Sequence, residues 1–242
     1  MTKSWNKVKK SQRKIKTKER KEFLIRCEGP TEENYFSGFP VNKDELDIKG
    51  TGCNTESLIK ETIKTSYNLR RQGITFRQTW CVFDKDRYSY EQIKRAFDLA
   101  KDNHIDIAYS NRNFELWYYL HFNFTVSDIP EDDYENLINK KLDIVYNKNS
   151  KVTEQMYGLL KEYQNRAIDN ATELIKYHKE YNKKLCNKEN PEPYDYNPPV
   201  TTVHLLVEQL NRVCKKCNRC GIYNNCRAKN CNKCGDKLPQ DS

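Results

Sequence analysis

The sequence of 242 residues contains no long apolar run. Its most apolar stretch, residues 116–124, is far shorter than the roughly 18–20 residues that cross a membrane as a helix. No membrane association is therefore expected. The charged N-terminus is not followed by an apolar segment, so it does not resemble a secretory signal. Hydrophobic residues make up only 36% of the chain, so the 16 tyrosines must supply part of the core.

Glycine and proline are also scarce, with eight residues of each. No Gly-x₄-Gly-Lys-Ser/Thr motif is present, so ATP hydrolysis by a P-loop is not expected from this chain. No internal repeat of about 20–50 residues is visible, which argues against a solenoid or propeller. The length permits one large domain, or one domain with a small appendage.

The net charge of +9 is distributed unevenly. Residues 1–21 carry ten Lys and Arg and one acid, and residues 211–242 carry eight Lys and Arg and two acids. The remaining body, residues 22–210, carries 25 basic and 31 acidic residues, a net charge of −6. Two basic ends favour contact with the phosphate backbone of a nucleic acid, although a solvated tail has the same composition.

Apolar periodicity predicts a strand followed by a helix four times between residues 22 and 122. The predicted strands are residues 22–27, 46–49, 76–83 and 105–109. Such alternation indicates an α/β fold with a mainly parallel, four-stranded sheet. The predicted domains are a basic disordered arm (1–21), an α/β domain with a helical extension (22–186), a linker and closing helix (187–213), and a cysteine-rich module (214–242).

Three acidic residues follow predicted strands. Glu28 follows the first strand, and Asp84 and Asp86 follow the third. Ligands of open parallel sheets bind at the carboxyl ends of the strands. An Asp-x-Asp pair in extended chain directs both carboxylates to one side. Clustered carboxylates are ligands that suit Mg²⁺, although Asp in these positions also caps helices.

Four segments together carry a resemblance to a known family. They are EGPTEENYF (28–36), VFDKD (82–86), SNRNFELW (110–117) followed by His121 and Phe122, and NPPVTTVH (197–204). They resemble the RloB-like family and are similar to the abortive-infection AbiL proteins. The resemblance implies a Toprim-like fold and a role in prokaryotic antiphage defence beside an AAA-type ATPase. It also implies phosphodiester chemistry assisted by Mg²⁺ or Mn²⁺ at Glu28, Asp84 and Asp86.

Two further acids are candidate members of the same site. Glu32 lies one helical turn after Glu28 and could bind metal or pair with Arg26. Glu115 lies near the start of the fourth helix and could reach the site or stabilise the helix N-terminus. The predicted function is a metal-dependent nuclease of antiphage defence. The alternative is a catalytically silent adaptor that binds nucleic acid.

Two Cys-x-x-Cys-Gly knuckles predict a zinc ribbon near the C-terminus. Cys217 and Cys220 form the first knuckle, and Cys231 and Cys234 form the second. Four thiolates suit tetrahedral Zn²⁺ in a closed structural site. Cys214 could replace a ligand, because it precedes Cys217 by three residues, but no glycine follows that pair. Clustered thiols favour metal over disulfide in a reducing, cytoplasmic compartment.

Overall fold

A computed structural model describes residues 19–148, 151–185 and 191–239, without the side chains of residues 182–185. The main sheet has five strands: β1 (Glu19–Cys27), β2 (Leu46–Gly50), β3 (Ile74–Asp84), β4 (Asp106–Asn111) and β5 (Val200–Thr201). Their order is β2-β1-β3-β4-β5. Strands β1 to β4 are parallel, and β5 is antiparallel to β4.

Eight α-helices occur in the described part of the chain. They are α1 (Pro30–Ser37), α2 (Thr55–Arg71), α3 (Tyr90–Asp102), α4 (Glu115–Leu120), α5 (Glu131–Leu142), α6 (Met156–Leu160), α7 (Gln164–Leu185) and α8 (Val203–Arg212). Short 3₁₀ turns lie at Lys43–Glu45, Lys151–Gln155, Lys161–Tyr163 and Pro193–Asp195. Ser89 and Gln92 form a capping box at the start of α3.

The sheet separates two hydrophobic cores, one on each face. Side chains alternate along a strand, so Trp80 and Val82 of β3 join one core, and Cys81 and Phe83 join the other. Helices cover both faces, as is usual for parallel sheets. This arrangement leaves the carboxyl ends of the strands as the edge where loops and helix N-termini meet.

The α/β class and the mostly parallel sheet are confirmed, with two differences. Strand β1 begins at Glu19, because residues 19–21 pair with the start of β3. These three residues, predicted as part of the basic arm, therefore belong to the sheet, and residues 1–18 lie outside the described ranges. The second difference is a fifth strand, β5, where the sequence predicts four. It has two residues, too few for a periodic pattern.

The helical extension predicted up to residue 186 consists of α5, α6 and α7, with an interruption. Asp143 ends α5 in a left-handed conformation with φ of 53°, and a 3₁₀ turn follows at Lys151–Gln155. The closing helix, predicted within residues 187–213, begins at Val203 after β5. Among the described helices, none combines the length and the hydropathy of a membrane-spanning segment.

The C-terminal module contains a second small sheet, in which β6 (Lys215–Lys216) is antiparallel to β7 (Tyr223–Asn224). Its buried core consists of Cys217, Cys231 and Leu238. The module contacts the body through Lys233, whose Nζ lies 2.5 Å from Glu162 Oε1. So small an apolar core needs a further cross-link to hold its shape.

Candidate acidic site and cysteine cluster

Four acidic residues lie at the carboxyl edge of the main sheet. Glu28 directly follows β1, and its backbone N–H donates to Val82 O at 3.0 Å. Asp84 is the last residue of β3. Glu32 is in the first turn of α1, and Glu115 begins α4. The crossovers of the parallel sheet thus bring residues that are far apart in sequence to one edge.

Three buried carboxylate oxygens of this group have no hydrogen-bond partner, and one of them, Glu115 Oε2, lies 3.4 Å from the ammonium nitrogen of Lys148. Asp84 uses Oδ2 to accept from the backbone N–H of Phe114 at 2.9 Å, whereas its Oδ1 is buried and unpartnered. Glu28 Oε2 is likewise buried and unpartnered. Buried oxygens of this kind are costly unless something outside the protein satisfies them.

The acidic residues also raise one another's pKa. Burial, followed by the charges of Glu32 and Glu115, raises the pKa of Asp84 well above its usual range. Burial raises the pKa of Glu32 to about 7, and Glu115 and Glu28 add to that shift. Burial and the charge of Asp86 raise the pKa of Glu28. Full ionisation of these carboxylates is therefore unfavourable at neutral pH unless a proton or a cation neutralises part of their charge.

Asp86 occupies a different position from Asp84. Strand β3 ends at Asp84, so the extended alternation that would direct both carboxylates to one side does not reach Asp86. Asp86 is exposed, has a φ of 41°, and donates its backbone N–H to Arg112 O at 3.3 Å. It lies close enough to Glu28 to influence its pKa. Asp86 is therefore at the rim of the group.

Glu32 does not pair with Arg26, one of the two roles that the sequence left open. Arg26 Nη1 donates instead to Asp47 Oδ1 at 2.8 Å. Glu32 Oε2 accepts from the backbone N–H of Gly29, the N-cap residue of α1, at 3.2 Å. Glu32 is 6% exposed and combines helix capping with membership of the acidic group.

Two residues of the site were missed by the sequence reasoning. Tyr146 donates its hydroxyl to Glu115 Oε1 at 2.7 Å, and Lys148 Nζ lies 3.4 Å from Glu115 Oε2. Lys148 also pairs with Glu131. Although burial opposes it, these two glutamates raise the pKa of Lys148. We name Glu28, Glu32, Asp84, Asp86, Glu115, Tyr146 and Lys148 the acidic site.

Replacement of Lys148 with Met should destabilise the protein by about 1–3 kcal/mol, the cost of leaving a buried polar group unsatisfied. The side chain of Glu115 is 1% exposed and would lose the neighbouring ammonium group of Lys148. The matched control is Glu131→Gln, which removes the exposed partner of the same lysine. Urea unfolding gives the free energy of unfolding of both variants. Adding Glu115→Gln to Lys148→Met should recover most of the loss, and equal losses in both single variants would contradict this prediction.

The four predicted cysteine ligands lie together. Within the described ranges, Cys217, Cys220, Cys231 and Cys234 form the one group of three or more His, Cys, Asp or Glu whose ligand atoms lie within 4.8 Å of one another. These cysteines could therefore bind zinc. No three carboxylates of the acidic site approach one another this closely, so Mg²⁺ binding there stays a prediction.

The two knuckles have matching geometry. Gly221 donates its N–H to Cys217 O at 2.9 Å, and Gly235 donates to Cys231 O at 3.0 Å. The two glycines have φ values of 73° and 74°, which glycine adopts without strain. Sulfur atoms of opposite knuckles are 3.5 and 3.6 Å apart. Backbone N–H groups of Cys234 and Lys233 lower the pKa of Cys231 to about 6.

Cys214 is not part of this cluster. Its Sγ donates instead to Leu210 O of α8 at 3.2 Å. Cys226 is also outside the cluster. The choice of Cys217 over Cys214 as the first ligand therefore agrees with the structure.

A protein-family model described as RloB-like protein matches residues 23–210. The matched range contains the main sheet except for the first four residues of β1, contains all members of the acidic site, and ends before the cysteine cluster. Comparison with curated proteins and comparison with solved structures found no match.

Proposed function

We propose that this chain, which belongs to the RloB-like protein family, is a nuclease that depends on Mg²⁺ or Mn²⁺. The observation that carries the proposal is the burial of mutually repelling carboxylates at the carboxyl edge of a parallel sheet, with Glu28 Oε2 and Asp84 Oδ1 unpartnered. A purely structural role would not favour such a group, because each charge raises the cost of the others.

Glu28, Asp84 and Asp86 are the residues that would hold the cation, because hard carboxylate oxygens suit Mg²⁺. The bound cation would polarise a phosphodiester and position water. Glu28, whose pKa is raised by burial, is suited to accept the proton of that water. Lys148 neutralises Glu115 next to Asp84 and supplies a positive charge at the edge of the site.

The basic ends support a nucleic-acid substrate held by charge, with binding that weakens as salt rises. DNA, RNA and tRNA all agree with this chemistry. The family resemblance supports an effector role in antiphage defence. The absence of a P-loop motif supports a separate AAA-type ATPase partner as the source of ATP hydrolysis. A thiolate zinc site would suit the reducing cytoplasm.

A catalytically silent adaptor is the second candidate. It is favoured by one observation, namely that no three carboxylates among the described residues gather their oxygens within 4.8 Å. In this role the basic ends would bind nucleic acid and the acidic site would be vestigial. The adaptor predicts binding without cleavage under every metal condition.

Cleavage of labelled tRNA, single-stranded RNA and plasmid DNA by the zinc-loaded chain distinguishes the two candidates. Parallel reactions contain Mg²⁺, Mn²⁺ or no added cation, because a strong chelator would also remove zinc. The nuclease predicts cleavage only with Mg²⁺ or Mn²⁺ and loss of cleavage in Glu28→Gln. Binding without cleavage, also in the presence of the cognate ATPase, would favour the adaptor. Undiminished cleavage by Glu28→Gln would exclude the acidic site as its source.

The stability of the cation-free protein should fall as the pH rises from about 4.5 to about 7. Glu32 has a folded-state pKa near 7 against a usual value of 4.5. Below the lower value the proton is bound in both the folded and the unfolded chain. Above it the unfolded chain ionises first, so the folded state loses relative stability.

The measurement is Tm at several pH values, for which about 2–4 °C corresponds to 1 kcal/mol. Glu32→Gln should reduce the slope of Tm against pH, whereas the neighbouring control Glu33→Gln should keep the wild-type slope. Added Mg²⁺ should raise Tm more at pH 7.5 than at pH 5. A Glu32→Gln protein with the wild-type slope would contradict the prediction.

A further inference from the structure

Helix α7 carries two exposed tyrosines one turn apart. Tyr177 is 39% exposed and Tyr181 is 42% exposed. Their rings are stacked, with centroids 6.0 Å apart and planes inclined by 18°. We call this pair the tyrosine platform. It presents flat aromatic surface to solvent.

The course of α7 places the platform near the carboxyl edge of the sheet, where the acidic site lies. Strand β5 begins at the carboxyl end of β4, where Val200 pairs with Asn111. Because β5 is antiparallel to β4, the following helix α8 runs toward the opposite edge. Near the end of α8, Asn211 donates to Gln164 Oε1 at 2.8 Å, which fixes the start of α7 at that opposite edge.

The other end of α7 returns to the carboxyl edge. His178 Nε2 donates to Pro199 O at 2.7 Å, directly before β5. The His178 ring stacks on Tyr196 with centroids 5.1 Å apart, and Tyr196 O accepts from Asn111 Nδ2 at 3.4 Å. Tyr177 precedes His178, and Tyr181 lies three residues or about 4.5 Å further along the helix axis.

The helical segment that carries the platform has a net positive charge. Residues 176–185 contain four lysines and one glutamate. Lys176 and Lys179 are exposed on the same turn as Tyr177. Exposed rings flanked by cations match single-stranded nucleic acid, whose bases stack on aromatic side chains while lysines neutralise phosphates. The bases of a duplex stack on each other and present only their edges.

We propose that Tyr177 and Tyr181 stack on bases of a single-stranded substrate as it approaches the acidic site. The proposal rests on the proposed nuclease function and adds the substrate class. It predicts that part of the affinity comes from bases rather than from charge alone. A single-stranded region of RNA or DNA is therefore the preferred ligand over continuous duplex.

The test is fluorescence anisotropy of a labelled 12-nucleotide single strand with the full zinc-loaded chain, without added Mg²⁺. The Tyr177→Ala/Tyr181→Ala variant should bind about tenfold more weakly or worse. Tyr177→Phe/Tyr181→Phe should stay within about twofold, because phenylalanine keeps the aromatic face. The control Tyr67→Ala, which removes an exposed tyrosine of α2, should bind like the wild type. Circular dichroism checks the fold of each variant.

An abasic strand of the same length separates stacking from charge. It should bind the wild type and the double alanine variant equally. Wild-type affinity in the double alanine variant, or an equal loss on the abasic strand, would overturn the platform. If the wild type binds through the platform but never cleaves, the proposed nuclease function fails and base stacking at the platform stands. If the wild type cleaves and the double alanine variant binds normally, base stacking at the platform fails and the nuclease function stands.

Discussion

Asp84→Asn should slow cleavage by orders of magnitude and at the same time stabilise the fold. Asp84 lies at the centre of the acidic site, where burial and the charges of Glu32 and Glu115 raise its pKa. Asparagine keeps an oxygen that can accept from Phe114 N, and it removes the repelling charge. The cleavage rate should fall by about 10²- to 10⁴-fold, as for loss of a group acting on the reacting atoms.

A gain in stability on removal of the Asp84 charge would indicate that this charge serves function and does not stabilise the fold. In the absence of added cation, Tm of Asp84→Asn should rise at pH 7.5 by a few degrees, since about 2–4 °C corresponds to 1 kcal/mol. The matched control is Asp98→Asn, which breaks an exposed ion pair with Lys94 on α3. It should leave both cleavage and Tm nearly unchanged. Normal cleavage by Asp84→Asn, or a Tm below that of the control, would contradict this prediction.

Cys217→Ser or Cys231→Ser should release zinc and unfold the C-terminal module. The apolar core of the module is confined to Cys217, Cys231, Leu238 and a few partly buried neighbours. Structural zinc sites contribute roughly 10–16 kcal/mol of binding free energy in isolated finger peptides. We therefore expect one zinc per chain in the wild type, and loss of the amide signals of folded residues 215–238 in either variant.

Cys226→Ser and Cys214→Ser provide matched controls for zinc binding. Both residues lie outside the cluster of four sulfur atoms, so each variant should keep one zinc per chain. Elemental analysis by mass spectrometry gives the zinc content. Loss of zinc in Cys214→Ser together with its retention in Cys217→Ser would reverse the ligand assignment. The main sheet should stay folded in all four variants, because its two cores do not include Cys217, Cys226 or Cys231, and Cys214 packs against one core only as a partly buried residue.

Most of the main sheet could be predicted from the sequence. Strands β1, β3 and β4 contain buried apolar runs, and the intervening helices carry caps or apolar periodicity. Strand β5 could not be predicted, because two residues carry no periodic signal and their partner, β4, lies about 90 residues earlier. The cysteine set could be predicted, because knuckle spacing and the following glycine are local properties.

The acidic site was predictable only in part. Glu28, Asp84 and Asp86 stand out because they follow strands, but the exposure of Asp86 depends on where β3 ends. Tyr146 and Lys148 belong to the site through long-range contacts with Glu115. Nothing local distinguishes them from the other tyrosines and lysines of the chain. Their role became visible only when the fold placed the turn after α5 beside the start of α4.

Electron paramagnetic resonance of Mn²⁺ tests the acidic site most directly. Titration of the zinc-loaded chain with Mn²⁺ reports free cation, and it requires neither substrate nor partner. We predict saturable binding by the wild type that weakens sharply in Asp84→Asn and in Glu28→Gln, and that persists in Asp98→Asn. A wild type that binds no Mn²⁺ at pH 7.5, or binding unchanged by Asp84→Asn, would contradict a cation site at these carboxylates.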